Sequence, residues 1–507
     1  MQEPPGLPAV TLFHSYDKDG RLTSVIDNAG VQVQTTHDVR GRSDRFIWTG
    51  GGISPASVDI DRNGRGQITS LKRFADSTLT NQVSRTTYDQ IAPQGWVKQI
   101  QHKDGTGALY NAGTNFTYSY DFEGQVTGQS SQGNSTTYTY DPTGQLLTAN
   151  HSAVAYPDEF YNYDKSGNRT SSHLHAAYTT GTANRLQSDG QFNYGYDAEG
   201  NMTTRTEITT GKATTFTYDH RGRTTSIIER ASAGGAVLDS QIFVYDALDR
   251  RITINAKGSV TNILYHGDNA WADYAAGGAV SARYLFADRI DANLAKYSAV
   301  DGTTWYHTDK LDSMRGLSAA NGNLLANFGY DSFGNKIIGS SMVRPERFGF
   351  TGREIMIGDF IFYRSREYSS TIGRFIVEDR IAFEGMDSNL FRYVGNSPQN
   401  FIDPEGKQAA LEYTVASAII GGGMGFTRAA TCETIMYFKG DSTNQLEAAG
   451  RIVVGTVKGA LVGAAMGAVF YKIGIFVTPS ADLGKRFLGS YLIGGPLVGS
   501  IDCTVLR

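Results

Sequence analysis

The chain has 507 residues, a formal net charge of −4 and an isoelectric point near 6.2. This balance lacks the basic stripe that a nucleic-acid coat needs, so no nucleic-acid partner is expected. Its 59 glycines and 28 tyrosines against 12 prolines favour many short strands joined by tight turns, and its two cysteines, Cys432 and Cys503, sit too near the C-terminus to make the rest a disulfide scaffold.

The N-terminal Met1-Gln-Glu-Pro-Pro carries no basic region followed by an apolar run, so no signal peptide is visible. A recurring unit then begins. It reads Asp17-Lys-Asp-Gly20, Asp38-Val-Arg-Gly41, Asp61-Arg-Asn-Gly64, Asp121-Phe-Glu-Gly124 and Asp141-Pro-Thr-Gly144. It continues as Asp164-Lys-Ser-Gly167, Asp197-Ala-Glu-Gly200, Asp219-His-Arg-Gly222 and Asp331-Ser-Phe-Gly334, while Tyr245-Asp246-Ala-Leu-Asp249 has lost its glycine. The Asp side chain can bond the backbone two residues on, and Gly accepts a positive φ where the chain re-enters a strand. Ahead of one turn, Tyr138-Thr-Tyr140 places both rings on one sheet face. Each unit is therefore strand, turn, strand. Such hairpins cannot bury their tyrosine face alone, so they should pair edge to edge into one long sheet. That sheet hides its edges by spiralling or closing into a shell. The repeated Tyr and Asp residues are read as turn chemistry and packing rather than as a site.

His307, Asp309 and Asp312 suggest a metal site or a triad, but no second ligand group converges on them, so packing and turn bonding are expected there. No metal or cofactor is expected. Beyond residue 406 the Tyr-Asp turns vanish. Gly455, Gly459, Gly463 and Gly467 recur at every fourth position, a glycine zipper that aligns small residues on one helix face. Lys458 and Lys472 bracket thirteen uncharged residues, short of the roughly 20 that span a bilayer unless the lysines snorkel. A membrane-contacting helical hairpin and a helix pair packed inside the shell are both open.

The repeated units resemble the YD repeats of the RHS (rearrangement hot-spot) family, which includes the C components of insecticidal toxin complexes and the teneurins. The resemblance sharpens at Tyr306-His-Thr-Asp-Lys-Leu-Asp-Ser-Met-Arg315, Phe348-Gly-Phe-Thr-Gly-Arg353, Tyr363-Arg-Ser-Arg-Glu-Tyr368, Gly373-Arg374-Phe375, Asn389-Leu-Phe-Arg-Tyr-Val-Gly-Asn-Ser-Pro398 and Asp403-Pro-Glu-Gly406. These are similar to the RHS repeat-associated core domain. The division this implies is a mainly β YD-repeat sheet over 1–304, the core domain over 305–406, and a variable, helical C-terminal region over 407–507.

The resemblance also implies a function, that of the structural shell of a bacterial polymorphic toxin or effector. Its own C-terminal tail would be the enclosed cargo, with an immunity protein and a secretion-system component as partners. Localisation would be secreted or at the cell envelope. The alternative, of a different class, is a cell-envelope adhesion or carbohydrate-contacting protein without toxic cargo. Enzyme chemistry would be at most that of a self-cleaving aspartyl autoprotease. By motif position its catalytic aspartates would be Asp379 and Asp403, with Arg374 placed to hold a carboxylate or polarise a carbonyl. Two carboxylates sharing a site can divide into acid and base. Cleavage is then expected just after Lys407. The first block reads Asp379-Arg-Ile-Ala where the family has Asp-Pro-x-Gly, which removes the two residues that would aim the turn.

Overall fold

The computed structural model describes residues 10–91, 94–110, 113–131, 133–288, 290–337, 346–382 and 387–407. The reading of 408–507 as a helical, membrane-contacting or enclosed region lies outside the described residues.

The predicted hairpin grammar is visible atom by atom at residues 140–146. Gly144 N donates to the Asp141 carbonyl at 2.9 Å and Asp141 N to the Gln145 carbonyl at 2.9 Å. Asp141 Oδ1 accepts from the amides of Thr143 and Gln145 at 2.8 and 3.0 Å. Gly144 takes φ +85°, a conformation costly for any residue with a Cβ. Just before the turn the pairing register slips by one residue, between Thr139 and Tyr140. The same slip precedes the turns at Tyr16, Tyr163, Tyr196, Tyr218 and Tyr245. Each slip is a β-bulge that raises the local twist, so a sheet built from these units has to coil.

The tyrosine before the turn has a second use. Tyr140 Oη donates to the Val126 carbonyl at 2.7 Å. Tyr120 reaches Val97, Tyr218 reaches Met202, and Tyr245 reaches Thr224 in the same way, at 2.6 to 2.7 Å. Every acceptor lies at the start of the strand leaving the previous turn, so the ring stitches one hairpin to the next. Replacing Tyr140 by Phe is expected to keep the packing and lose this bond. The cost should be about 1 kcal/mol, read as a lower denaturation midpoint at unchanged slope.

Several turns depart from the sequence reading. The copy assigned to Asp61–Gly64 turns two residues later, at Asn63-Gly-Arg-Gly66. There Asn63 Oδ1 accepts from Arg65 N and Gln67 N at 3.0 Å each. Asp61 instead lies in strand Ala56–Arg62 and pairs with Lys72 at 2.8 Å. Asn replaces Asp in the turn because both side chains offer the same acceptor. Asp27–Gly30 and Asp104–Gly107 are further copies with the same bonds. The copy without glycine still turns, with Asp249 itself at φ +63°. Asp309–Asp312 is another, in which Asp309 Oδ1 accepts from Leu311 N and Ser313 N and Asp312 has φ +61°.

The strands pair in strict sequence order, but as two long sheets rather than one. A 14-stranded sheet runs from Leu12–Tyr16 to Arg169–Ser172, and a 15-stranded sheet from Thr179–Thr180 to Leu324–Asn327. The break at 173–178 contains no Asp-x-x-Gly turn. The expected boundary at 304/305 falls inside strand Gly302–Thr308, so the wall continues through it. A third sheet has four short strands: Glu354–Ile355, Phe360–Tyr363, Arg366–Ser369 and Arg374–Phe375.

The two long sheets meet directly through a core that includes Trp48, Val58, Trp271, Leu285 and Trp305. At that seam Asp27 Oδ2 accepts from Trp271 Nε1 at 3.1 Å and from Arg283. The small sheet packs its aromatic residues onto the second sheet, Phe360 and Phe362 in one cluster with Phe216 and Phe243, and Tyr363, with Tyr393 after the sheet, in another with Tyr284 and Tyr306. Tyr368 Oη donates to the Phe333 carbonyl at 2.8 Å, in the turn that follows the second sheet, and the first sheet is reached by Arg169 Nη1 to the Thr371 carbonyl at 3.2 Å and by Asn396 Nδ2 to Gln145 Oε1 at 2.9 Å. The two long sheets (the wall) and the small sheet with the residues that follow it (the plug) are thus one packed body over the described residues.

Candidate functional site

Residues 403–407 lie against the turn between strands Phe360–Tyr363 and Arg366–Ser369. Backbone carbonyls hold them there. Arg364 Nη1 donates to the Pro404 carbonyl at 2.6 Å, and Ser365 Oγ to the Glu405 carbonyl at 2.8 Å. The Gly406 carbonyl accepts from Arg366 Nε at 2.6 Å and from Ser365 Oγ. Gly406 is obligatory on two counts. Its φ is +63°, and a Cβ there would come within 2.2 Å of the Tyr363 carbonyl oxygen.

Both candidate aspartates converge on one guanidinium, that of Arg366. Its Nη2 lies 2.9 Å from Asp379 Oδ2 and 3.4 Å from Asp403 Oδ2. Arg366 is buried over the ring of Phe375, 3.7 Å from its centroid. Asp403 is fully buried, and its Oδ1 accepts from the amides of Gly406 and Lys407 at 2.9 and 3.3 Å. Burial holds the Asp379 carboxyl above the usual carboxylate range; Asp387 adds to the rise, while Arg366 opposes it. Burial likewise lowers the pKa of Arg366.

The altered first block keeps its turn. Ala382 N donates to the Asp379 carbonyl at 2.9 Å, Ile381 N donates to Asp379 Oδ1 at 3.1 Å, and Ala382 takes the positive φ, +48°, that a glycine would hold. The turn therefore forms without proline or glycine, at a strain cost of order 1 kcal/mol in Ala382.

Arg374 is not brought to this pair. Its Nη2 donates to the Asn184 carbonyl at 2.6 Å and its guanidinium covers Phe391. The arginine between the aspartates is Arg366, which the motif spacing did not single out. A signal existed in Phe360-Ile-Phe-Tyr-Arg-Ser-Arg-Glu-Tyr368, where charges interrupt an aromatic run and so demand buried partners.

His307, Asp309 and Asp312 do not converge. His307 Nε2 bonds Ser318 Oγ at 2.9 Å, and the aspartates belong to the turn described above. Among the described residues no cluster of three or more His, Cys, Asp or Glu side chains has the geometry of a metal site.

Comparison with known proteins agrees with this architecture. The Teneurin YD-shell family profile matches residues 116–399. The tRNA3(Ser)-specific nuclease WapA of Bacillus spizizenii is 27% identical over 258 residues, which are 49% of this chain and 9% of that protein. The double-stranded DNA deaminase toxin A of Burkholderia cenocepacia is 24% identical over 447 residues, 77% of this chain and 30% of that protein. The chain therefore spans less than a third of either relative. Among solved structures, the TcdB2-TccC3-Cdc42 crystal structure superposes with a TM-score of 0.63 at 17% identity, covering 81% of this chain and 22% of that one. The Photorhabdus luminescens Tc holotoxin pore superposes with a TM-score of 0.59 at 18% identity, covering 78% and 21%. At these identities the structural likeness establishes the fold.

Proposed function

From the premise that the chain belongs to the teneurin YD-shell family and is an RHS/YD-repeat protein, we propose that it is the shell of an RHS-type toxin and that residues 407–507 are its cargo. The relatives that carry nuclease and deaminase-toxin names support the toxin class. An immunity protein that neutralises the tail, a secretion-system component and a secreted or cell-envelope location belong to the same reading.

The observation that carries release by self-cleavage is the guanidinium of Arg366 shared by Asp379 and Asp403, directly beside the strapped segment ending at Lys407. Asp403 is the base that takes a proton from water as it attacks the Lys407 carbonyl carbon. Asp379, its pKa raised by burial, is the acid that protonates the departing amide nitrogen. The peptide bond after Lys407 breaks, leaving a carboxylate on Lys407 and an amine on Gln408.

The test is purification of the full chain, with Asp403→Asn beside it. Wild type should yield two fragments split after Lys407, and Asp403→Asn one intact band. Wild type that stays intact overturns release. Expression of residues 407–507 alone should arrest bacterial growth, and harmless expression overturns the toxin reading.

A further inference from the structure

Arg374 and Arg169 are left without a role in the site above. Arg169 opens strand Arg169–Ser172 of the first long sheet, and Arg374 opens strand Arg374–Phe375 of the small sheet. Each is only 7% exposed, and among the described residues neither forms an ion pair. Arg169 donates to the Thr371 carbonyl at 3.2 Å and lies over the rings of Tyr161 and Phe333. Arg374 donates to the Asn184 carbonyl. Each keeps one buried nitrogen without a hydrogen-bond partner, Nη2 of Arg169 and Nε of Arg374.

Both residues line one cavity with about 10 Å³ open to the centre of a water-sized sphere, room for a single small particle. The neutral donors around it are already spent. Asn389 Nδ2 bonds Ser166 and Asn168, and Asn396 Nδ2 bonds Gln145 and Gly167. The third cation on its wall, Arg392, is paired with Asp387 at 2.7 Å. Asp164, a carboxylate that acts on Arg374 from farther off, accepts from Ser166 and Asn168.

We propose that this cavity binds a monatomic anion, chloride or bromide, held by Arg169 and Arg374 at the junction of wall and plug. Two desolvated cations facing one small space need a counter-charge, and a water molecule supplies only a dipole. The volume excludes phosphate and carboxylates. Burial lowers the pKa of Arg374 and the charge of Arg169 adds to the effect, while for Arg169 the surrounding tyrosines outweigh burial and raise it. Gly373 makes room for the arrangement, since a Cβ on it would come within 2.1 Å of Arg169 Nη2.

The test has two arms on the full chain, with Asp403→Asn in both so that cleavage does not intervene. In crystals grown in sodium bromide, anomalous scattering should place a bromide between the two guanidinium groups. Density there without anomalous signal, a water only, overturns the proposal. In solution, the melting temperature should rise by about 2 °C when chloride replaces gluconate at matched ionic strength and exceeds its dissociation constant tenfold. Arg374→Gln should lose that dependence on the anion's identity. A melting temperature indifferent to the anion in the parent chain overturns the proposal whether or not the Arg374 variant folds.

Discussion

A chain carrying Arg366→Lys is expected to fold and to release its tail at least about a hundredfold more slowly than the wild type. Lysine keeps a positive charge between Asp379 and Asp403 but has no planar fork. It cannot hold both carboxylates through one nitrogen while a second donates to the Gly406 carbonyl, as Arg366 does at 2.6 Å. Arg366→Met goes further and leaves two buried carboxylates without their cation. Breaking a buried pair by removing one partner costs about 3–5 kcal/mol, so this variant should also lose stability. The comparison separates the two roles. Quantitative gel densitometry over time measures release, and denaturant titration measures stability. Wild-type release from the Lys variant would remove Arg366 from the proposed cleavage site and leave it as a structural ion.

The second large effect is expected at Arg251, in the wall strand Arg251–Ala256. Its guanidinium is fully buried, 3.8 Å from the ring centroid of Phe243 and 3.5 Å from that of Phe362, and bonds Glu367 of the plug at 3.0 Å. Glu367 also accepts from Thr224 Oγ1 at 2.5 Å. Arg251→Met fills the slot between the rings but strands Glu367 in a dry interior, at a cost of about 3–5 kcal/mol. Adding Glu367→Gln should recover most of that loss, because a neutral amide can still bond Thr224 and carries no charge to desolvate. A double-mutant cycle in denaturant reads the coupling. Additive losses in the two single variants would show that the pair does not join plug to wall.

Much of the wall was legible because its determinants are local. The turn at Asp141 is closed by atoms within four residues of one another, and the same bonds recur at Asp164 and Asp219. The one misplaced turn, read at Asp61 rather than Asn63, shows the limit of that rule. Two acceptor-bearing residues sat two positions apart, and the pairing of Asp61 with Lys72 on the neighbouring strand decided between them. The stitching role of the tyrosines could not be read either. Tyr140 and Val126 are joined across two hairpins, and only the register of the sheet brings them together.

The candidate site divides in the same way. Sequence named Asp379 and Asp403, and the fold brings both to one guanidinium, but it named Arg374 where the fold supplies Arg366. From Arg374 to Asp379 is five residues, a proximity along the chain that the three-dimensional path does not keep. Strand Arg374–Phe375 sends its arginine toward Asn184 of the wall, whereas Arg366 lies one strand back and faces the segment from Asp403 to Lys407.

By itself the sequence determined that this protein is a run of Tyr-Asp hairpins ending in an Asp-Pro-Glu-Gly block, because turns and bulges are fixed by neighbours in the chain. Tertiary structure alone decided which buried charges meet: Arg366 with two aspartates, Arg251 with Glu367, and Arg169 with Arg374 across an open space. A buried charge is stable only where the whole fold delivers its partner, and those partners lie up to hundreds of residues away.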